Sequence, residues 1–310
     1  MLRLAKVDDL APGPNQVLVQ LHACGVNPVD TYIRSGAYGR LPALPYTPGF
    51  DGAGVIVACG ASVRGLTKGL RVYVSGSLTG TYAEACLCLP TQIHPLPRQG
   101  TYEGGACLGI PYATASYALF HRAKTRRGQT VLVHGATGGV GLAALQLGRR
   151  AGLRVLATYG TEAGRDLLIE QGAEAVFNHH EVGYEEAILS FTGGLGVNVI
   201  LEMAAHANLG RDLPLLAAGG VVSVIGSRGP VQVQPRELMS READIRGVML
   251  ANAPQGVLAQ IHGDLFSGMA DGSIRPVVRR AFALGQAEEA HVVQTQRGAC
   301  GKLILDCLNP

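Results

Sequence analysis

Six apolar segments rich in β-branched residues recur at a nearly constant interval through the middle of the chain. They begin at residues 130, 154, 175, 197, 221 and 245, which is 21 to 24 residues apart. The stretches between them have the apolar periodicity of helices. Such alternation is typical of βαβ units that build a parallel sheet buried on both faces. We therefore predict an α/β domain with a six-stranded parallel sheet.

The first hundred residues follow a different pattern. Short β-type segments such as "NQVLVQLHA" and "RVYVSGS" are separated by Gly, Pro and Ser turns, which is typical of a small β-rich barrel or sandwich. After the sixth parallel strand, the tail ends in a helix-like segment and a last strand, "KLILDC". Because this tail lacks the βα alternation, we expect it to return to the first domain. The predicted domains are residues 1–102 with 274–310, and residues 103–273.

Composition excludes several classes of protein. The net charge of +3 is far from that of a strongly basic nucleic-acid-binding domain. The chain contains no run of 18 apolar residues and no signal-peptide pattern, so we predict a cytoplasmic protein with no membrane partner. Seven cysteines occur without a C-x-x-C motif, which favours buried reduced thiols over a zinc or redox motif.

The segment "VLVHGATGGVGLAALQL" carries a glycine pattern where the first predicted strand gives way to a helix. Against G-x-G-x-x-G, Ala136 takes the first glycine position, Gly138 the second and Gly141 the third. The second glycine lets backbone N–H groups approach a pyrophosphate, and the third lets helix and strand pack closely. The helix N-terminus adds a favourable dipole for phosphate. This combination predicts a dinucleotide-binding site.

The end of the second predicted strand indicates which dinucleotide binds. NAD-binding domains carry an acid there for the ribose hydroxyls, but this strand ends in "ATYGT", and Glu162 comes late. Nothing at that position repels a 2′-phosphate, and Arg165, His179 and His180 follow within plausible reach. The sequence therefore favours NADPH, although each basic residue has the alternative of a solvated surface position.

Together these segments resemble the zinc-independent, ζ-crystallin-like quinone oxidoreductases of the medium-chain dehydrogenase/reductase superfamily, almost from end to end. The matching segments are "HACGVNPVDTYIRSG", "LPYTPG", "VLVHGATGGVGLAALQL", "VFNHHEV", "NLGRDL" and "IGSRG". The resemblance implies a GroES-like β-rich catalytic domain and a Rossmann domain that binds NADPH. It also implies a homodimer or homotetramer joined through the Rossmann sheet. Compared with the family pattern, we expect the N-terminal strand of the catalytic domain to be missing.

The resemblance also implies a set of cofactor-binding residues, carried over one by one. They are Tyr32, Thr137, Gly138, Gly139, Val140, Gly160, His179, Asn208, Ile225, Gly226, Ser227, Arg228, Val248, Met249 and Leu250. Val248–Leu250, at the end of the sixth strand, should border the nicotinamide. This agrees with the general rule that ligands of open α/β sheets bind at the carboxyl ends of the strands.

Two segments that supply zinc ligands in zinc alcohol dehydrogenases carry other residues here. In register, the cysteine position is Asn27 and the histidine position is Phe50. Phenylalanine cannot bind zinc, and asparagine is a poor ligand, so we predict no metal site. Without a Lewis acid a saturated alcohol is a poor substrate. A quinone or an activated enone instead gives a delocalised oxyanion that hydrogen bonds can stabilise.

The predicted catalytic residues are the hydrogen-bond donors Asn27 and Tyr32, with Tyr46 as a third candidate. Asn27 and Tyr32 have structural alternatives, a turn-capping amide and a core ring. Asp51 is expected to be a structural hydrogen-bonding residue, and protons are expected to come from solvent. The predicted function is NADPH-dependent reduction of quinones such as ortho-quinones.

The sequence leaves two other functions open. One is NADPH-dependent reduction of 2-alkenals or enones, which differs in pocket shape rather than in any motif. The other is a non-enzymatic crystallin-like or RNA-binding role, for which the only signal is the basic segment "HRAKTRRGQT". Such a segment is more often a solvated loop.

Overall fold

The computed structural model describes residues 2–39, 41–296, 298 and 300–309. The chain forms two compact units, Met1–Pro111 with His262–Pro310 (unit 1) and Tyr112–Ile261 (unit 2). The strands are β1 (Val17–Val26), β2 (Asp51–Cys59), β3 (Arg71–Ser75), β4 (Ala85–Cys88), β5 (Ile93–Pro95), β6 (Thr130–Val133), β7 (Arg154–Tyr159), β8 (Ala175–Asn178), β9 (Val197–Glu202), β10 (Leu216–Val224), β11 (Asp244–Gly247), β12 (Val278–Ala283) and β13 (Lys302–Asp306).

The helices alternate with these strands in unit 2 and are fewer in unit 1. They are α1 (Pro28–Arg34), α2 (Tyr102–Gly105), α3 (Gly109–Ser116), α4 (Gly139–Arg150), α5 (Glu162–Glu170), α6 (Tyr184–Phe191), α7 (Ala205–Asp212), α8 (Pro235–Arg241), α9 (Gln255–Ala270) and α10 (Ala287–Thr295). A π-helical segment, Tyr117–Arg122, continues α3. None of the helices in the described part of the chain has the length and apolar character needed to cross a bilayer.

Unit 1 is built around β1, the strand with the most partners in a seven-stranded sheet of order β12-β13-β1-β2-β3-β5, with β4 also on β1. The Val17–Gln20 half of β1 pairs with β4, and the Ala23–Val26 half pairs with β13. Apolar side chains of β1 are fully buried in the core that these strands share. The cysteines that the structure describes are free thiols, and most of them are buried.

Unit 2 contains a six-stranded sheet of order β11-β10-β9-β6-β7-β8, and its strand pairs are parallel. The two sheets confirm the predicted combination of a β-rich domain with a parallel-sheet α/β domain. β6 and β9 lie side by side at the centre, and the chain order reverses between them. In open α/β sheets a crevice opens at such a switch point, outside the carboxyl ends of the strands.

Candidate cofactor and catalytic sites

The glycine loop joins β6 to α4, and its two key glycines meet different surroundings. Gly138 is the N-cap of α4 in an extended conformation. A Cβ there would have the Gly135 carbonyl oxygen as its nearest neighbour, at 3.5 Å. A Cβ on Gly141 would instead lie 2.4 Å from the Cα of Ala136. Gly138 therefore leaves space at the helix N-terminus, where phosphate binds well, and Gly141 permits the close contact of helix and loop.

The residues predicted to bind cofactor within unit 2 follow the carboxyl ends of all the strands in its sheet. Thr137–Val140 follow β6, Gly160 follows β7, His179 follows β8, Asn208 follows β9, Ile225–Arg228 follow β10, and Val248–Leu250 follow β11. Because the strands are parallel, these positions all lie on the side of the sheet where the strands have their carboxyl ends. We call this side the cofactor edge. The set is therefore consistent with a dinucleotide at the cofactor edge. That each of its members contacts the cofactor remains a prediction.

Gly160 is covered by two histidines. A Cβ on Gly160 would lie 2.8 Å from His179 Cε1 and 3.0 Å from His180 Nε2, and the two imidazole centroids are 4.3 Å apart. His179 is exposed to solvent, and partial burial and the neighbouring imidazole lower its pKa. Arg165 faces Glu162 and Asp166 on its own helix at 3.5 and 3.8 Å. Imidazole donors thus lie where an NAD site would hold an acid.

A buried polar network that the sequence analysis missed lies beneath this edge. His134 Nε2 is 3.0 Å from Asp212 Oδ1, and these side chains are 3% and 1% exposed. His134 Nδ1 lies 3.3 Å from Thr158 Oγ1. Glu202, fully buried at the end of β9, places a carboxylate oxygen within 4.8 Å of His134 and Asp212. A polar residue closing an apolar strand, as in "TVLVH" and "VNVILE", was the available signal.

The same network shifts the protonation of its members. Burial alone would lower the pKa of His134, but the hydrogen bond to Asp212 and the nearby carboxylates raise it. Burial raises the pKa of Glu202 to about 7, whereas the charge of His134 lowers it. The charge of His134 and the protonation of Glu202 are therefore linked.

In unit 1 the side-chain amide of Asn27 is held from both sides. Its Nδ2 donates to Asp51 Oδ2 at 2.9 Å, and Lys302 Nζ donates to its Oδ1 at 2.6 Å. Lysine only donates and carboxylate only accepts, so this orientation of the amide is fixed. Asn27 is 1% exposed. These contacts give Asn27 a structural role, and its catalytic role stays a prediction.

Lys302 is a buried cation that sequence reasoning missed, because a lysine before an apolar strand is usually solvated. Its Nζ also donates to the carbonyl of Val26. Burial lowers the pKa of Lys302, whereas Asp51 raises it. Asp51 accepts from the Ile110 N–H at 2.8 Å, as expected of a structural hydrogen-bonding residue. Burial raises the pKa of Asp51 to about 6, and Lys302 opposes the shift.

Asp30, in the first turn of α1, begins a second buried chain of contacts. Its Oδ2 accepts from the Asn27 N–H at 2.8 Å and from the Tyr82 hydroxyl at 3.0 Å. Tyr82 is in turn 3.1 Å from His291 Nε2. Burial raises the pKa of Asp30 to about 7. Burial lowers the pKa of His291 to about 4, so this histidine is neutral at pH 7.

The remaining predicted residues of unit 1 lie close by in sequence. Tyr32 is a half-buried residue in the middle of α1. Burial, and then the charge of Asp30, raise the pKa of Tyr46. Phe50 directly precedes β2, and its carbonyl accepts from the Gly76 N–H at 2.7 Å. Neither Asn27 nor Phe50 offers the thiolate or imidazole that a zinc site needs.

Replacing Asp30 with Asn should remove one source of pH dependence from folding. The pKa of Asp30 is raised from 3.8 to about 7, so its contribution to stability is fully present below its ordinary pKa and is lost as the pH rises through 7. The expected slope reaches about 1.4 kcal/mol per pH unit. The free energy of unfolding of Asp30→Asn relative to wild type should therefore increase between roughly pH 5 and pH 8.

Urea denaturation across that range measures the difference. The asparagine carbonyl at position 30 could still accept from Asn27 and Tyr82, so the contacts are kept. Asp306→Asn is the control, because hydrogen bonds lower the pKa of Asp306 from 3.8, and its relative stability should stay constant over the same range. A flat difference curve for Asp30→Asn would contradict the prediction.

Comparison with known proteins agrees with both units. The family model "Alcohol dehydrogenase GroES-like domain" matches residues 13–127, and "Zinc-binding dehydrogenase" matches residues 139–262. Among solved structures, Escherichia coli quinone oxidoreductase complexed with NADPH superposes with a TM-score of 0.89 at 27% identity, covering 98% of this chain and 95% of that one. An NAD-dependent alcohol dehydrogenase superposes with a TM-score of 0.92 at 25% identity, with coverage of 98% and 95%. The fold and the site thus define a medium-chain dehydrogenase/reductase.

Curated relatives narrow this class further. The chain is 48% identical over 297 residues to the quinone oxidoreductase of Mus musculus. It is 46% identical over 295 residues to that of Homo sapiens. In both cases 95% of this chain and 90% of the relative are covered. The chain belongs to the ζ-crystallin-like quinone oxidoreductase family.

Proposed function

We propose that this protein is an NADPH-dependent quinone reductase that works without zinc and accepts quinones such as ortho-quinones. The observation that carries the proposal is the pair Asn27 and Phe50 at the two zinc-ligand positions, in a chain whose relatives are named quinone oxidoreductases. A quinone needs no Lewis acid, because its reduced oxygen is delocalised over the ring. The proposed location is the cytoplasm, and the proposed assembly is a homodimer or homotetramer through the Rossmann sheet.

NADPH is favoured by the surroundings of Gly160. His179 and His180 close over this glycine so tightly that a Cβ on it would lie within 3.0 Å of both imidazoles, and imidazole N–H groups can donate to a 2′-phosphate. The Escherichia coli relative is complexed with NADPH, whereas the superposed alcohol dehydrogenase is described as NAD-dependent. The last residues of β7 include no acid, and Glu162 comes only at the start of α5, which supports the first of these two cofactors for this chain.

The chemistry of the side chains suggests a role for each predicted site residue. Bound NADPH would supply the hydride. Thr137–Val140 at the start of α4 would hold the pyrophosphate, since helix N-termini favour phosphate. Tyr32, with a half-buried phenol, would donate a hydrogen bond to the substrate oxygen. An amide nitrogen carries two hydrogens, so Asn27 has one donor beyond the bond to Asp51. Tyr46 is the third candidate donor.

The function is tested by steady-state reduction of 9,10-phenanthrenequinone and of a 2-alkenal, with NADPH or NADH as donor. We expect turnover of the quinone with NADPH and little with the alkenal. Preferential alkenal turnover would favour the enone reductase alternative, and failure of both substrates would reject the reductase proposal. The RNA-binding alternative has no support beyond its basic segment.

Cofactor preference is tested by titrating NADPH and NADH into wild type and into His179→Ala. One hydrogen bond to a charged group contributes about 1.5–3 kcal/mol, so NADPH affinity should fall roughly tenfold or more in the variant. NADH affinity should stay nearly constant. Arg154→Ala is a control, because this exposed arginine lies at the other end of β7 and pairs with Glu174 at 2.6 Å. Equal losses for both cofactors in His179→Ala would contradict a role at the 2′-phosphate.

A further inference from the structure

The buried network of unit 2 joins elements that converge on the cofactor edge. His134 directly follows β6, Glu202 ends β9, and Asp212 ends α7. These three residues are 3%, 0% and 1% exposed, so water does not solvate their charges. His134 Nε2 and Asp212 Oδ1 are 3.0 Å apart, at ion-pair distance, and one Glu202 oxygen lies within 4.8 Å of both side chains. Buried groups in such contact share protons and titrate together.

Glu202 connects this network to two turns at the edge of the sheet. Its carboxylate accepts from the Ala204 N–H and from Asn208 Nδ2, the latter at 3.2 and 3.3 Å. Its backbone carbonyl accepts from the N–H groups of Ile225 and Gly226 at 2.8 and 3.2 Å. Asn208 and the turn that starts at Ile225 are both predicted to bind cofactor. A single buried residue therefore positions both.

We propose that His134, Asp212 and Glu202 form one proton-sharing unit that positions these turns and makes NADPH affinity depend on whether the unit holds its extra proton. The proposal rests on the proposed function, because it presumes that NADPH binds at this edge. Glu202 is a positioning residue in this scheme, since it acts through Asn208 and the Ile225 turn. The anionic cofactor binds best when the unit carries no net negative charge.

The charge balance gives the direction of the effect. The unit is neutral when His134 is protonated and the two carboxyl groups share one proton. Loss of that carboxyl proton leaves one negative charge buried next to the turns that are predicted to bind cofactor, where solvent screens it little. Among the described residues, the other charged or titratable groups that face the unit are Tyr184 and Glu185 on α6, the Arg211 that pairs with Glu185, and His179 after β8.

The test is the dissociation constant of NADPH, measured by fluorescence titration from about pH 6 to about pH 8. In wild type the constant should rise roughly fivefold to tenfold over this range, because one proton accounts for at most a tenfold change per pH unit. Glu202→Gln, which mimics the protonated acid, should bind as tightly as wild type does at the acid end. Its profile should be flat apart from the ionisation of the 2′-phosphate, which is common to all variants.

Glu185→Gln is the matched control, since it removes a carboxylate near His134 without touching either turn. It should keep the wild-type profile. His134→Gln is a second variant that tests the sharing itself. The charge of His134 lowers the pKa of Glu202, so its loss should move the midpoint of the profile to higher pH.

A wild-type profile in Glu202→Gln, or a uniform loss of affinity at every pH, would overturn the proposal, because a merely structural role predicts the latter. Flattening by Glu185→Gln would also overturn it, since the effect would then belong to any nearby charge. If one of these results is obtained and the enzyme still reduces quinone, only the proton-sharing proposal fails and the proposed function stands. If wild type bound no NADPH at any pH and reduced no quinone, both proposals would fail.

Discussion

Lys302→Met should lower the free energy of unfolding by about 3–5 kcal/mol, the cost of breaking a buried charge network from one side. The lysine is 5% exposed and donates to Asn27 Oδ1 and to the Val26 carbonyl. Methionine fills a similar volume but leaves both oxygens without their donor. The buried Asp51 also loses the positive charge that favours its ionised form. The damage should therefore grow as the pH rises above about 6.

Chemical denaturation of wild type and Lys302→Met measures this loss. Arg154→Met is the control, because Arg154 and Glu174 form a 2.6 Å ion pair whose side chains are 47% and 38% exposed. Exposed pairs contribute about 0–1 kcal/mol. Equal, small effects of the two substitutions would show that the buried network adds nothing to the stability of unit 1.

Gly141→Ala should be the most damaging methyl addition in the glycine loop. The new Cβ would lie 2.4, 2.5 and 2.6 Å from the Cα, O and C atoms of Ala136. These are backbone atoms, so no side chain can rotate away, and α4 must move from its place beside β6. Overpacking of this kind costs about 1–3 kcal/mol, occasionally more. NADPH binding should be lost with the displaced loop.

Gly138→Ala separates the two roles of the loop. Its Cβ would meet no protein atom closer than 3.5 Å, and its φ of −80° suits any residue, so stability should change by less than about 1 kcal/mol. The methyl group would enter the space proposed for the pyrophosphate, and NADPH affinity should fall tenfold or more. Thermal denaturation beside NADPH titration checks both variants. Unchanged affinity in a stable Gly138→Ala protein would contradict a pyrophosphate site at this loop.

Much of unit 2 was predictable because local sequence determines it. A parallel strand buried on both faces must be apolar throughout, and a left-handed helix end favours glycine, so the βα alternation is visible residue by residue. The cofactor-binding residues came from the family resemblance, and the alternation agrees with it because it places those of unit 2 after the carboxyl ends of the strands. Unit 1 was predicted only as β-rich, because the partners of β1 are set by contacts between distant segments rather than by local pattern.

The buried polar networks were not predictable for a related reason. Lys302 lies next to Asn27 only because β13 pairs with β1, and no spacing in the sequence brings these residues together. Asp212 and His134 are also far apart in the sequence, and only the fold brings their side chains to 3.0 Å. A buried charge is recognised by its partner, and the partner is a property of the tertiary structure.

The pairing of β1 with β13 has a consequence for the order of events during synthesis. Unit 2 is one continuous stretch, Tyr112–Ile261, and we expect it to fold while translation continues. Unit 1 cannot finish folding at that stage, because β1 is synthesised early and its partner β13 is synthesised only after unit 2. Until then Asp51 lacks the cation that compensates its burial. A nascent chain halted before Lys302 should therefore protect unit 2 from protease while its N-terminal segment remains open to cleavage.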